Sequence, residues 1–387
     1  MPPTTFRIAI IGAGPGGLLC ARILQRYGVP VTVWERDLGP VGPAPGGSLE
    51  LRATGGRALR AAGLADAFRA ASWPAGPETR LLAPTGEVLR EEAAGPGAAE
   101  RRGIGRRELR RLLLAALAPG TVRWGAYLRT LHPRGGGRHQ AVFDDGRSAA
   151  FDLVIGADGT WSRVRPLLSD ATPHHSGVSY AETALDDVDT RHPGAAELVG
   201  RGTLLALSGR EGLLARREAG GRIGVYAALR GSQDWAREAG VSLADTEAVR
   251  AVLLARFTGW DERLRALLRD GDQPFADRPL FALPVPHTWP HTPGLTLLGD
   301  AAHLMTPFSG PGADLALYDG WELARHLAEA HTWQTDPDEA VRAYEAALFP
   351  RSAAAAGTAA RDLAAAFAQD APRPARRRLR RPHPHGR

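Results

Sequence analysis

Apolar and polar positions along the chain fall into two textures. Near the N-terminus "FRIAII", residues 6–11, is apolar and β-prone, and "GAGPGG" follows it directly. "LLCARILQRYG" then repeats at helical spacing, with Leu18, Ile23 and Tyr27 near one face and a stop at Gly28 and Pro30. "VTVWE" reads as a second strand that ends on Glu35. The pattern predicts a strand, helix and strand whose right-handed crossover builds a parallel sheet, with a crevice at the carboxyl ends of its strands.

After a proline and glycine loop, "GSLELRATGGRALRAAGL" predicts a short strand and a helix. "GRRELRRLLLAAL" predicts a helix with Leu109, Leu112, Leu113 and Leu117 as its apolar stripe. Short strands are expected in "TVRWGAYL", "QAVFDDG" and "FDLVIGADG", with a hairpin turn at Asp145 and Gly146 joining the last two. From about residue 173 to 282 the second texture begins: "GTLLALS", "GLLARRE" and "RIGVYAALR" read as strands between glycine turns, an antiparallel sheet in its own layer. The first texture resumes at "LTLLGD".

The expected fold is therefore α/β: a Rossmann-type domain with a parallel sheet, interrupted by an antiparallel β-sheet domain, plus a C-terminal helix. The boundaries are drawn at 1–75, 101–172 and 283–330 for the nucleotide domain, and 76–100 and 173–282 for the inserted substrate domain. A helical segment covers 338–369, and an arginine and proline tail covers 371–387.

At 387 residues and 44% hydrophobic content, a substantial core is available, which excludes a small stapled or disordered protein. Cys20 is the sole cysteine, so an intrachain disulfide and a cysteine metal cluster are both excluded. The net charge of +6 suggests nucleic acid, but the tail alone carries seven arginines and no acid. Without it the chain is about neutral, so neither nucleic acid nor a membrane is an expected partner. The opening "MPPTTFRIAI" has no leader pattern, and a cytoplasmic monomer is expected. All 48 basic residues are arginine, so chemistry that needs a lysine amine is excluded.

Gly12, Gly14 and Gly17 satisfy G-x-G-x-x-G between a strand and a helix. That spacing permits a tight turn, close approach of backbone amides to a pyrophosphate, and close helix packing. Glu35 is placed for a ribose diol. NAD and FAD both satisfy this much. A second strand running into Gly299 and Asp300 offers another carboxylate, which suits the ribityl hydroxyls of FAD.

"GAGPGG" with Glu35-Arg36, "VIGADGTWSRVR" at 154–165 and "GDAAHLMTPFSGPG" at 299–312 resemble, in order and spacing, the three motifs of class A flavoprotein monooxygenases. The resemblance covers nearly the whole chain and is greatest to the tetracycline-inactivating members. It implies FAD as cofactor, NADPH as reductant, and hydroxylation of an aromatic or polycyclic molecule by dioxygen through a flavin C4a-hydroperoxide. The oxidant belongs to the cofactor, so no catalytic side chain is named.

Carried onto this sequence, the resemblance makes Glu35 and Arg36 adenosine contacts, and Glu50 and Arg106 flavin-side contacts. Asp158 handles FAD and NADPH, Asp300 meets the ribityl chain, and Pro307, Gly310 and Gly312 line the isoalloxazine. The substrate is expected against the β layer at Glu182, Leu205, Arg216 and Tyr226. His303 is read as packing its loop, and His174, His175, His383 and His385 lack acids at ligand spacing, so no metal is expected.

The chain departs from the family at Pro311, where Gln is common, and at Asp314, where Asn is common. An aspartate there is expected either to oppose a reduced flavin or to occupy the first turn of its own helix. Pro43 and Gly224 stand where the tetracycline enzymes carry an arginine and a histidine, which argues for a different polycyclic or aromatic substrate. Another FAD oxidoreductase on this fold, such as an epoxidase or Baeyer-Villiger-type oxygenase, and a flavin-binding protein without turnover remain alternatives.

Overall fold

The computed structural model describes residues 6–41, 47–76, 78–92, 100–308 and 311–368. The tail read at 371–387 lies outside the described residues. The chain divides into two units: Met1–Ser72, Ile104–His174 and Phe281–Thr358 form the first, and Trp73–Gly103, His175–Leu280 and Ala359–Arg387 the second.

The first unit is built on five parallel strands in the order Leu295–Leu297, Leu153–Gly156, Ile8–Ile11, Val31–Trp34, Val122–Arg123. Ile8–Ile11 is buried along its whole length, as expected of a central parallel strand with both faces covered. It feeds the helix Pro15–Arg26, whose Leu18, Leu19, Ile23 and Leu24 are buried. The helix Arg106–Ala115 buries Leu109, Leu112 and Leu113, whereas Leu117 lies past its end and is only partly buried.

The hairpin differs from its sequence reading. Arg138–Phe143 pairs antiparallel with Ser148–Phe151, while Leu153–Gly156 belongs to the parallel sheet. Asp152 separates the two by accepting a bond from the Arg7 N–H at 2.8 Å, which turns one apolar run into two strands of different sheets.

The helix Gly312–Trp333 crosses Pro15–Arg26 at glycine: a Cβ on Gly320 would lie 2.3 Å from the Gly16 carbonyl oxygen and 3.2 Å from the Cys20 nitrogen. Cys20 is fully buried there, and burial pushes its thiol far above the ordinary range. The final helix, Pro337–Ala366, is tied to the sheet by buried polar groups. Tyr344 donates to the Leu297 carbonyl at 3.0 Å. Glu345 accepts from Trp289 Nε1 at 3.0 Å and Thr296 Oγ1 at 2.9 Å, and meets His291 Nδ1 at 2.7 Å. A buried carboxylate needs such partners, because leaving it unpaired costs more than the pairing returns.

The second unit holds a seven-stranded sheet in the order Ala276–Ala282, His174–Leu185, Ile223–Arg230, Glu211–Arg217, Thr203–Leu207, Thr79–Leu82, Val88–Glu92. It is mixed rather than purely antiparallel, since Thr203–Leu207 runs parallel to Thr79–Leu82. The β-rich reading also passed over the helices Thr246–Arg256 and Glu262–Arg269, each capped by an aspartate, Asp245 or Asp261. Their Val249, Leu253, Leu264, Leu267 and Leu268 share a core with one face of the sheet, including Ala181, Val225, Ala215 and Leu204. Among the described residues, no helix is long and apolar enough to cross a membrane.

Candidate functional site

Because the five strands of the first unit are parallel, their carboxyl ends share one edge. Ile11 pairs with Trp34 and Gly156, and Gly156 with Leu297. The residues after those positions therefore emerge side by side, Gly12, Glu35, Ala157 and Leu298, with Asp158 and Asp300 following the last two along the chain. The row is stitched by Gly12 N–H to the Trp34 carbonyl at 2.8 Å, Ala157 N–H to Ile11 at 2.8 Å, and Leu298 N–H to Gly156 at 2.9 Å.

The glycine loop has the shape a phosphate needs. Gly12 stands at φ +107°, where a Cβ would lie 2.4 Å from the Ala157 carbonyl oxygen. Gly17 packs against the loop, its Cβ position 2.5 Å from the Gly12 oxygen, while Gly14 has nothing nearer than 3.8 Å. The helix Pro15–Arg26 starts at Gly14 with no side-chain cap and no acid in its first turn. Its first amides carry the positive end of the helix dipole and suit a pyrophosphate.

Glu35 is buried, with Oε2 accepting from Ala13 N–H at 2.6 Å and Oε1 from Asp37 N–H at 3.0 Å. It braces the loop and still has a lone pair on each oxygen for a diol. Arg36 is exposed beside it. Arg110, which sequence reading missed, reaches Asp37 Oδ2 at 2.7 Å, approaches Glu35 Oε2 at 3.9 Å and lies over the Trp124 ring at 5.6 Å. Its position one turn after Arg106 was the available signal.

Asp158 accepts from the Arg163 N–H at 2.7 Å; burial pushes its carboxyl up against the opposing hydrogen bonds. Asp300 does not end a strand. It opens the four-residue helix Asp300–His303, after Gly299 at φ +60°. Its side chain is open to solvent, yet the surrounding protein desolvates it enough to raise its pKa, with His303, Arg106 and Arg165 pulling the other way. Arg165 is a second missed residue: buried, it donates to Thr160 at 2.8 Å and Ala301 at 3.1 Å, joining the second motif to the third.

Glu50 lies on the strand Ser48–Leu51, Arg106 begins the helix Arg106–Ala115, and Pro307 is exposed. Gly312 begins the helix Gly312–Trp333 with Pro311 before it. Gly310 and Pro43 lie outside the described residues. Among those described, no group of three metal-binding side chains is brought together.

Asp314 sits in the first turn of its own helix, Gly312–Trp333, the second of its two expected positions. It is buried, and its Oδ1 accepts from the N–H groups of Arg52 and Gly55, both at 2.9 Å. It caps the start of a different helix, Ala53–Ala61, whose own cap position has no side-chain bond. Burial nevertheless raises its pKa, so the charge is carried at a cost. Asp314→Asn keeps the accepting oxygen and is expected to stay within about 1 kcal/mol of the parent, whereas Asp314→Ala should lose about 1–2 kcal/mol in urea denaturation. Equal losses in the two variants would remove the capping account.

In the second unit, Glu182 faces Tyr226 across one strand pair, Tyr226 faces Leu214, and Leu214 faces Leu205. Arg216 lies two residues beyond Leu214, so all four expected substrate residues share the sheet face opposite the helical core. Glu182 is already engaged, its Oε2 accepting from Arg278 Nε at 3.0 Å. Arg216 Nε is buried with no acceptor among the described residues.

Known proteins share this fold. The FAD binding domain family matches residues 5–201 and 290–358. Monooxygenase asqM of Emericella nidulans is 32% identical, with 84% of each chain covered. The 3-amino-4-hydroxybenzoate 2-monooxygenase PtnB3 of Streptomyces platensis is 33% identical over 89% of this chain and 84% of its own. Klebsiella pneumoniae HpxO, solved with FAD and uric acid, superposes with a TM-score of 0.80 at 21% identity, covering 94% of this chain and 90% of that one. Tetracycline destructase Tet(55) superposes with a TM-score of 0.72 at 21% identity, covering 98% and 95%.

Proposed function

The chain belongs to the FAD binding domain family, that of the class A flavoprotein monooxygenases, and from that premise we propose that it uses NADPH and dioxygen to hydroxylate an aromatic or polycyclic small molecule. The balance is one substrate C–H, NADPH, a proton and O2 giving C–OH, NADP+ and water. When bound, FAD supplies electron transfer from NADPH and activation of dioxygen.

The observation that carries this reading is that Gly12, Glu35, Asp158 and Asp300 all follow the carboxyl ends of adjacent parallel strands. The amides after Gly12 and Gly14 hold the pyrophosphate, and Gly17 lets the helix approach. Glu35 and Arg36 hold the adenosine ribose, with Arg110 fixing Glu35. Asp300 holds the ribityl hydroxyls. Arg106 and Glu50 border the flavin, which Pro307, Gly310 and Gly312 line. Asp158 serves FAD and NADPH. The residues bind, orient and exclude water; none needs to move a proton.

Substrate is read onto the sheet face of Glu182, Leu205, Arg216 and Tyr226. An unpaired buried guanidinium donor favours an oxygen-rich or acidic group on the ring system. The name of the Streptomyces platensis relative, an aminohydroxybenzoate monooxygenase, points the same way. Asp314, capping the helix Ala53–Ala61, gives no support to a flavin-binder without turnover.

The purified protein is expected to retain a yellow flavin spectrum after reconstitution and desalting, and hydroxybenzoates or polycyclic phenols should accelerate its NADPH oxidation. A flavin-loaded protein whose NADPH consumption no such compound stimulates would remove the monooxygenase reading while leaving the cofactor.

A further inference from the structure

Beneath Asp300 lies a buried ionic network that cofactor contacts do not account for. Asp319, on the helix Gly312–Trp333, has no solvent exposure. Its Oδ2 accepts from the Gly299 N–H at 3.1 Å and meets His303 Nε2 at 2.5 Å. Its Oδ1 accepts from Arg351 on the C-terminal helix at 3.0 Å. Arg351 also reaches Glu322 at 2.7 Å and lies over the Tyr318 ring at 4.6 Å.

One carboxylate thus grips both ends of the segment Gly299–His303, which displays Asp300. The segment's carbonyls are held as well, Ala301 by Arg165 at 3.1 Å and Ala302 by His287 Nδ1 at 2.5 Å. Gly299 at φ +60° takes a conformation that glycine adopts freely, so the turn's shape is set by what holds its ends. A buried ion network is a poor source of net stability, since apolar side chains of similar volume do as well or better; its best use is to fix one geometry. Burial disfavours a charged imidazole, but the carboxylate of Asp319 outweighs it and holds His303 above its ordinary pKa, in keeping with an ionic grip.

The geometry points to Asp319 as a positioning residue that sets the cofactor-facing orientation of Asp300, with Arg351 holding Asp319 from the C-terminal helix. This rests on the reading of Asp300 as an FAD contact. Asp319 touches no cofactor itself and acts through the turn.

The test is a double-mutant cycle on FAD affinity, read by flavin fluorescence quenching on apoprotein of the full chain. Asp300→Ala should weaken FAD by about tenfold or more, the scale of a charge-assisted hydrogen bond. Asp319→Asn alone should weaken it by about tenfold, but by less than about threefold in the Asp300→Ala background. Arg351→Gln, which removes the charge that holds Asp319, should behave as Asp319→Asn. If Asp319→Asn fails to fold, Arg351→Gln runs the same cycle.

Equal losses in both backgrounds overturn the proposal, because a merely structural carboxylate weakens FAD irrespective of Asp300. Normal affinity in Asp319→Asn, with Asp300→Ala impaired, overturns it too and leaves the site reading standing. Normal affinity in Asp300→Ala sinks the site reading itself.

Discussion

Gly12→Ala is expected to purify without flavin and to lose much of the stability of the first unit. At φ +107° an L-residue is strained by about 1–3 kcal/mol. Its Cβ would lie 2.4 Å from the Ala157 oxygen, 2.7 Å from the Ala157 carbon and 2.9 Å from Asp158 Cα, all backbone. Nothing there yields cheaply, because hydrogen bonds from Gly12 to Trp34 and from Ala157 to Ile11 lock both strand ends. Overpacking adds about 1–3 kcal/mol, so the sum is a large share of the roughly 5–15 kcal/mol a domain has. Gly14→Ala is the internal control: at φ −76° with 3.8 Å of clearance, it should fold normally and lose affinity only where a methyl obstructs the pyrophosphate. Bound flavin per protein and urea denaturation measure both. A Gly12→Ala protein with full flavin and parental stability would refute the steric account.

Gly320→Ala is the second large effect. In isolation, alanine favours a helix by about 1 kcal/mol over glycine. Here its Cβ would meet the Gly16 carbonyl oxygen at 2.3 Å, and the reciprocal Cβ on Gly16 would meet the Ala316 oxygen at 2.5 Å. Backbone opposes backbone at this crossing, so the helices must separate rather than a side chain rotate. We expect packing to win, with a net loss of about 1–3 kcal/mol and weakened FAD binding, because the displaced partner carries the glycine loop. Denaturation of the apoprotein separates the two consequences. Stability at or above the parent would mean that helix propensity decides instead.

The parallel sheet was legible because its signals are local: an apolar run, a glycine loop and a helical stripe within a few turns of chain. The motif at 299–312 was legible for the same reason. The place of Asp314 in its helix's first turn was legible too, but its cap was not, because the amides it accepts from belong to Arg52 and Gly55, 262 and 259 positions away. Asp319 was hidden by its place in an amphipathic helix, where a single aspartate reads as a solvated position; only Arg351, 32 residues on, makes it an interior charge. The hairpin misreading came from Asp152, whose bond to Arg7 breaks a run that periodicity alone treats as continuous. In the second unit, glycine turns between β-prone runs drew attention from helices whose aspartate caps, Asp245 and Asp261, were themselves readable.

The burial of Cys20 has a practical side. Thiol reagents attack the thiolate, and this thiol is both enclosed and held protonated. The native fold is therefore silent toward maleimides, and the absence of lysine leaves no side-chain amine for acylating dyes. A single cysteine introduced at an exposed position, such as Leu38 on the loop after Glu35, becomes the sole labelling point without any background removal. On the proposed reading of Glu35 and Arg36 as adenosine contacts, a fluorophore there is expected to report FAD binding.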